Sequence, residues 1–350
     1  MRASFTCRKN CPSSSWETRN DHDPKLIAAI DARLDKLVSM DVGGRGVEYL
    51  FEAAFARQGC SLVGAAAEAL LAVPDGATVF VTTGSVSRAW ISPYIGENDG
   101  PAGAAVVIRA LAIAKRVHCV LIAEETLLPG MREILTSAGL TVLPFELAQI
   151  AAKDGSLAVA SMLPFTTSDG EAKAEASQLL DRYEPALFFS TERVGRARDG
   201  VYYSMRAIDY GMGRSRIDLL FEEAQERGIP TVAVGDGGNE IGMGAVTDAV
   251  AKHVKFGETI AAVTTADALV TAACSNWGCN AIVAAMAARR GDARLVHTPE
   301  MERQLLNRGV DIGLINSVQN VVDANVDGLP LETHVAFAEL LRTVVRPALK

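Results

Sequence analysis

The sequence lacks the short motifs that identify several common enzyme classes. It contains no GxSxG nucleophile elbow, and none of its five histidines lies in a glycine-rich loop, which disfavours Ser-His-Asp hydrolysis. Its six cysteines form no two CxxC pairs, which disfavours a structural zinc site and favours free, reduced thiols. The glycine-rich segment lacks the Gly-Lys-Ser/Thr ending of a P-loop and does not fit GxGxxG in register.

Long apolar runs and surplus positive charge are also absent. A strongly apolar stretch, residues 102–114, is interrupted by Arg109 and is shorter than the roughly 20 residues of a membrane helix, so no membrane span is expected. The formal net charge of −8, without a long basic run, disfavours nucleic-acid and anionic-membrane binding. Aromatic residues make up 6% of the 350 residues and 30 residues are glycine, which favours a layered α/β fold over a β-sandwich.

Short apolar strands alternate with helices along most of the chain. The patterns predict strands at residues 78–82, 118–123, 140–143, 157–162, 186–190 and 231–234. Between strands, helices are predicted over 101–115, from the second strand to about 138, over 171–183 and over 214–227. Others are predicted over 47–73 before the first strand, and at 266–274, 276–290, 299–308 and 332–345 near the C-terminus. We therefore expect an α/β fold with three layers. It has a mainly parallel, Rossmann-like sheet, helices on both faces and a helical C-terminal elaboration.

The same patterns divide the chain into two parts. Residues 1–15 are rich in serine and poor in acids but carry no amphipathic pattern, so a flexible leader over residues 1–22 is favoured over a transit peptide. Asp23 and Pro24 suit the N-cap and first position of a helix, so order is expected to begin there. Residues 23–350 contain no repeat or low-complexity linker and are interpreted as a single α/β domain.

Two loops that follow predicted strands are rich in acids and glycines. Ligands of open parallel sheets bind beyond the carboxyl ends of the strands. Thr83 and Gly84 follow the first strand, and Glu97 and Asp99 precede the helix that opens at Pro101. Helix capping would explain Asp99 but not Glu97. The second loop, residues 235–244, has five glycines in ten residues, and such a loop can form an anion-binding concavity from backbone N–H groups. Its candidate ligand-binding and catalytic residues are Asp236, Gly237, Gly238, Asn239 and Glu240.

Two further loops supply basic and amide side chains. Arg193 follows the strand at 186–190 and Arg206 lies a few residues later, and either guanidinium could bind a carboxylate bidentately, although a surface ion pair is the simpler interpretation. Asn276 lies at the start of an Ala-rich helix, where it could cap that helix or reach a ligand.

Together these segments resemble one known family. Thr82-Thr83-Gly84, ENDGPAGA at 97–104, TERVG with DGVYYSMR within 191–206, GDGGNEIGMG at 235–244 and SNWG at 275–278 occur in the same order as in D-glutamate cyclase-like proteins. The resemblance is to the family's C-terminal-type domain and covers roughly residues 25–345. It implies a hydro-lyase that converts D-glutamate to 5-oxo-D-proline and water.

Several residues can be assigned roles in the implied reaction. Bare carboxylates would repel a dianionic substrate, so we expect a divalent metal, Mg²⁺ or Mn²⁺, held by some of Glu97, Asp99, Asp236 and Glu240, with one spare carboxylate as general base. Arg193 or Arg206 would bind the α-carboxylate, and N–H groups of the glycine loop would stabilise oxyanion charge. The predicted catalytic residues are Asp236, Asn239 and Glu240, and the predicted substrate-binding residues are Thr83, Gly84, Arg193, Arg206, Gly237, Gly238 and Asn276.

Two other functions fit the same residues. One is a metal-dependent enzyme that acts on a phosphorylated small molecule, because acids beside a glycine-rich anion site also suit phosphate chemistry. The other is a non-catalytic amino-acid-binding protein. In each case the expected partner is a small molecule, an acidic amino acid in the favoured interpretation. A cytoplasmic location is expected, and the apolar C-terminal helices would allow a homo-oligomer.

Overall fold

The computed structural model describes residues 23–349, so the predicted leader, residues 1–22, lies outside the described residues. Seven parallel strands form one sheet in the order β3-β4-β2-β1-β5-β6-β7. The strands are β1 (Thr78–Thr82), β2 (His118–Ala123), β3 (Thr141–Val142), β4 (Val159–Pro164), β5 (Phe188–Thr191), β6 (Thr231–Gly235) and β7 (Ala268–Thr271). Strands β1, β2, β5, β6 and β7 are buried throughout, as expected for a parallel sheet covered on both faces.

Helices precede, connect and follow the strands. Their bounds are α1 (Pro24–Val38), α2 (Val47–Gln58), α3 (Leu62–Ala72), α4 (Pro101–Lys115), α5 (Leu128–Ser137), α6 (Phe145–Asp154), α7 (Asp169–Tyr183), α8 (Ile217–Glu226), α9 (Thr247–His253), α10 (Gly257–Ile260), α11 (Ser275–Arg290), α12 (Pro299–Asp311) and α13 (Leu331–Val345). The predicted α/β fold with a Rossmann-like parallel sheet is confirmed. Asp23 caps α1 by accepting from the backbone N–H of Lys25, as the sequence predicts. Within residues 23–349, no helix combines the length and the apolar character needed to cross a membrane.

The strand order changes direction between β1 and β5. From β1 the chain moves outward through β2, and after β4 it crosses back to β5 on the other side of β1. Right-handed crossovers that run in opposite directions place their helices on opposite faces of the sheet. The loops after β1 and β5 therefore diverge and leave a crevice at the carboxyl edge, the usual ligand position in such sheets.

Two of the predicted elements differ in the structure, and one helix was not predicted. Residues 266–274 were expected to form a helix, but β7 runs through them, because a short apolar run fits a buried strand as well as a helix. The helix expected over 47–73 is divided into α2 and α3, since Gly59 has a φ of +70° and Ser61 caps α3 through the N–H of Gly64. Helix α6 lies in a segment for which the sequence patterns predict no helix.

Small residues bring α4 and α11 into close contact near this crevice. A Cβ atom on Gly103 would lie 2.9 Å from Oδ1 of Asn276, so only glycine allows the two helices to approach this closely. The same Oδ1 accepts hydrogen bonds from the N–H groups of Gly100 (3.1 Å) and Gly103 (2.8 Å). The first turn of α4, and with it the preceding residue Asp99, is thus fixed against the start of α11.

Candidate active site

A cavity of about 310 Å³ opens at the carboxyl edge of the sheet. Its volume is at the lower end of the range for ligand pockets, roughly 300–1,000 Å³, and suits a small metabolite. The loops after β1, β5 and β6 contribute Glu97, Glu192 and Asp236, while Arg45 and Asp327 come from segments outside the sheet. The cavity therefore lies at the strand ends where the sequence predicts ligand-binding residues.

Acidic side chains from these loops converge beside the cavity. Asp99, Glu192 and Asp236 each place one carboxylate oxygen within 4.8 Å of the others, and Asp99, Cys274 and Asp327 form a second such group. Oδ1 of Asp99 accepts from the N–H groups of Gly100 (2.9 Å) and Asn276 (3.2 Å). Its buried Oδ2 has no hydrogen-bond partner among the described residues. An unpaired buried carboxylate oxygen beside other carboxylates is a fitting ligand for a cation.

Burial perturbs the protonation of this cluster. Burial raises the pKa values of Asp99, Glu192 and Asp236 well above their ordinary range, and repulsion from neighbouring carboxylates, including Asp327 in each case, raises them further. Burial also raises the pKa of Glu97 to about 7, despite the opposing attraction of Arg214. A bound divalent cation would favour the ionised forms of the cluster.

Arg45 is the cation that already contacts this cluster. One guanidinium nitrogen donates to Asp236 and to Asp327 at 3.0 Å each, and to the carbonyl of Ala273 at 2.6 Å. Although burial opposes it, Arg45 holds the pKa of Asp327 below its ordinary value. Arg45 therefore stabilises the negative charge of two carboxylates that lie far apart in sequence.

The glycine loop after β6 binds one of its own side chains. Oε1 of Glu240 accepts from the N–H of Gly237 at 2.7 Å, and Oε2 accepts from the N–H of Gly238 at 2.7 Å. Oε1 also lies 3.3 Å from the N–H of Asp236. The backbone concavity predicted to stabilise a substrate oxyanion is thus filled by Glu240. These contacts give Glu240 a positioning role and do not support the roles predicted for Gly237 and Gly238 in substrate binding or for Glu240 as a metal ligand.

The two candidate arginines have different environments. Arg193 is fully buried and forms a bidentate ion pair with Glu124, at 2.9 and 2.7 Å, and also donates to the carbonyl of Ser215. It does not line the cavity, and its contacts with Glu124 and Ser215 favour a structural role over the predicted role as an α-carboxylate ligand. Arg206 is exposed and lines the cavity. The half-buried Arg88 and the buried Arg214 also line it.

The remaining predicted residues also differ in whether they line the cavity. Asn239 lines the cavity and donates to the carbonyl of Tyr203 at 2.7 Å. Asn276 caps α4, as described above, and does not line the cavity. A Cβ on Gly84 would lie 2.8 Å from the carbonyl of Asp99, so Gly84 allows the two loops to approach closely. Thr83 is buried behind them, with an Oγ1 that has no hydrogen-bond partner in the described part of the chain.

Three site residues were not among those predicted. Glu192 directly precedes the candidate Arg193, and its position at the end of a strand was the available signal. Asp327 stands in an Asp-Gly turn, and Arg45 stands between glycines in a segment that separates two helices. Turn residues of these types are common without function, so neither pattern identifies a site.

Comparisons with known proteins agree with the resemblance of the motifs. A family model described as D-glutamate cyclase-like, C-terminal, matches residues 34–342. The chain is 27% identical over 347 residues to the mitochondrial D-glutamate cyclase of Homo sapiens, a match that covers 91% of this chain. The chain spans about half, 53%, of the length of that relative. The expected cytoplasmic location stays a prediction.

Proposed function

The chain belongs to the D-glutamate cyclase-like family, and we propose that it is a hydro-lyase that converts D-glutamate to 5-oxo-D-proline and water. The observation that carries the proposal is the convergence of Glu97, Glu192, Asp236 and Asp327 at one small cavity, with Asp99 beside them and arginines also in the lining. An acidic amino acid has the complementary charges, an ammonium group and two carboxylates.

The charge distribution of the cavity suggests how the substrate binds. Arg206 is exposed at the cavity and is the arginine we assign to the α-carboxylate, because Arg193 is committed to Glu124. Asp236 and Asn239, both from the glycine loop, also line the cavity. Holding the substrate in a folded conformer removes much of the entropic barrier to ring closure.

The reaction requires two proton movements. The substrate amine must lose a proton before its nitrogen attacks the γ-carboxyl carbon, and the departing oxygen must gain protons to leave as water while the C–O bond breaks. Glu97 lines the cavity and has a pKa of about 7, which suits a group that accepts a proton and then returns it. We therefore assign both proton transfers to Glu97.

A divalent cation fits the carboxylate group formed by Asp99, Glu192 and Asp236. The unpaired Oδ2 of Asp99 and the all-oxygen donor set suit Mg²⁺ or Mn²⁺. When bound, such an ion would supply Lewis-acid polarisation of a carboxyl oxygen. Glu240 is outside this set because backbone N–H groups bind both of its oxygens.

The test measures 5-oxoproline by chiral chromatography after incubation of the purified chain with D-glutamate or L-glutamate. Metal is first removed with a chelator and then restored as Mg²⁺ or Mn²⁺. We expect product from D-glutamate with metal, and a large loss of activity in the Asp236→Asn variant. Absence of 5-oxoproline with either enantiomer and either metal would refute the proposal.

The phosphate alternative loses its main argument in the structure. It rested on a glycine-rich anion site, and Glu240 occupies that site. A parallel assay of phosphate release from phosphorylated metabolites nevertheless separates the two reactions, and saturable glutamate binding without turnover would favour a binding protein.

A further inference from the structure

We propose that the carboxylate cluster holds two divalent cations that share Asp99 as a bridging ligand, one of them bound also by the thiolate of Cys274. The inference rests on the proposed function, since it specifies the metal centre of the same site. The proposed function requires one ion bound by carboxylates. The inference adds a second ion, a sulfur ligand and a preferred class of metal.

The geometry contains two ligand groups that meet at one residue. Asp99, Glu192 and Asp236 form the first group, and Asp99, Cys274 and Asp327 form the second, each with its ligand atoms within 4.8 Å of one another. Ligands on opposite sides of an ion lie at about twice the metal–ligand distance of about 2.0–2.3 Å, so small movements would bring either group onto an ion.

Asp99 has the free coordination capacity that a bridge requires. It is 4% exposed, and its Oδ2 has no hydrogen-bond partner among residues 23–349. Asp99 faces the carboxyl group of Asp327, and two buried carboxylates in contact need either a shared proton or a cation between them, so the free Oδ2 is a suitable ligand atom. A carboxylate can place one oxygen on each of two ions, which in two-metal enzymes lie about 3.5–4 Å apart.

Charge balance favours two ions over one. Asp99, Glu192, Asp236 and Asp327 carry four negative charges when ionised, and Arg45 is the basic side chain hydrogen-bonded within this group. One divalent ion would leave the group with a net negative charge, which repels an anionic amino acid. Two divalent ions together with Arg45 would neutralise the four carboxylates and the proposed Cys274 thiolate, which removes that repulsion.

The thiol of Cys274 determines the class of metal. It is fully buried, with its Sγ 3.6 Å from Oδ1 of Asp99, and it immediately precedes the 16-residue helix α11. In the metal-free protein, burial and the carboxylates of Asp99, Asp327 and Asp236 raise the pKa of this thiol well above its ordinary value, so a bound ion would have to displace the thiol proton. A mixed sulfur and oxygen donor set favours transition metals such as Mn²⁺, Co²⁺ or Zn²⁺ over Mg²⁺.

The test loads the metal-free full chain with Co²⁺, without substrate, and measures two quantities. Equilibrium dialysis with elemental analysis gives the number of ions per chain, and near-ultraviolet absorption reports thiolate-to-cobalt charge transfer. We expect two ions and a charge-transfer band in the wild type. Cys274→Ser should lose the band and one ion, whereas Glu192→Gln should lose one ion and keep the band.

Cys279→Ser is the matched control, because Cys279 is a buried cysteine on α11 that belongs to neither ligand group. It should keep two ions and the band, and circular dichroism should show that each variant is folded. One ion in the wild type, or a band that survives Cys274→Ser, would overturn the proposal. Because no substrate is present, these outcomes are independent of whether 5-oxoproline is formed.

Discussion

Replacing Glu97 by glutamine is expected to make the protein more stable and less active. In the folded protein, burial raises the pKa of this carboxyl from 4.5 to about 7. Each pKa unit corresponds to about 1.4 kcal/mol, so ionised Glu97 destabilises the folded state by about 3 kcal/mol. Because the side chain keeps some contact with solvent, this is the upper end of the expected effect. Loss of the proton-transfer group should lower kcat by about 10²- to 10⁴-fold.

The sign of the pH dependence follows from the raised pKa. Below pH 4.5 Glu97 is protonated in the folded and unfolded states, so wild type and Glu97→Gln should differ little. Between pH 4.5 and about 7 the unfolded chain loses the proton first, and wild-type stability should fall relative to the variant. Above pH 7 the difference should be constant.

Urea denaturation of the two metal-free proteins between pH 5 and 8.5 measures this difference directly. Glu125→Gln, a substitution of an exposed glutamate, provides the control and should show no such trend. A free-energy difference between wild type and Glu97→Gln that is independent of pH would refute the reasoning.

Three further substitutions test other parts of the structure. Arg193→Met removes the cation of a buried ion pair and should lower the free energy of unfolding by about 3–5 kcal/mol; an unchanged urea midpoint would contradict this. Arg206→Ala should raise KM for the acidic substrate roughly ten- to a hundred-fold without affecting stability, whereas the exposed control Arg198→Ala should leave KM unchanged. Gly242→Ala and Gly139→Ala both place alanine at positive φ, +99° and +91°, but only the first brings a Cβ within 2.3 Å of another atom. Gly242→Ala should therefore lower the thermal midpoint more.

Much of the fold follows from local patterns in the sequence. The β-branched run of β1 and the apolar runs of β2 and β6 are too short for helices in their context and are bounded by turn residues. The same reasoning failed at β7, whose four residues lie among alanines that are equally compatible with a helix. Only pairing with β6 determines that these residues form a strand.

The candidate site was predictable only in part, for a different reason. Asp236 follows β6 directly, and Glu97 and Asp99 lie just before α4 in the loop after β1, so their position at the sheet edge depends on local structure. The pairing of Arg193 with Glu124 joins residues 69 positions apart, and no local pattern indicates it. Arg45 and Asp327 are 282 positions apart and meet only because the N- and C-terminal segments pack over the same end of the sheet.

The strand order explains why the acidic residues meet where they do. The sheet changes direction between β1 and β5, and the two loops that part at this point carry Asp99 and Glu192. Strand β6 lies next to β5 and adds Asp236. Three carboxylates are thus brought together by the sheet itself, and their mutual repulsion must be offset from outside it. Arg45 supplies one part of that compensation, and the divalent cation that we propose at Asp99 would supply the rest.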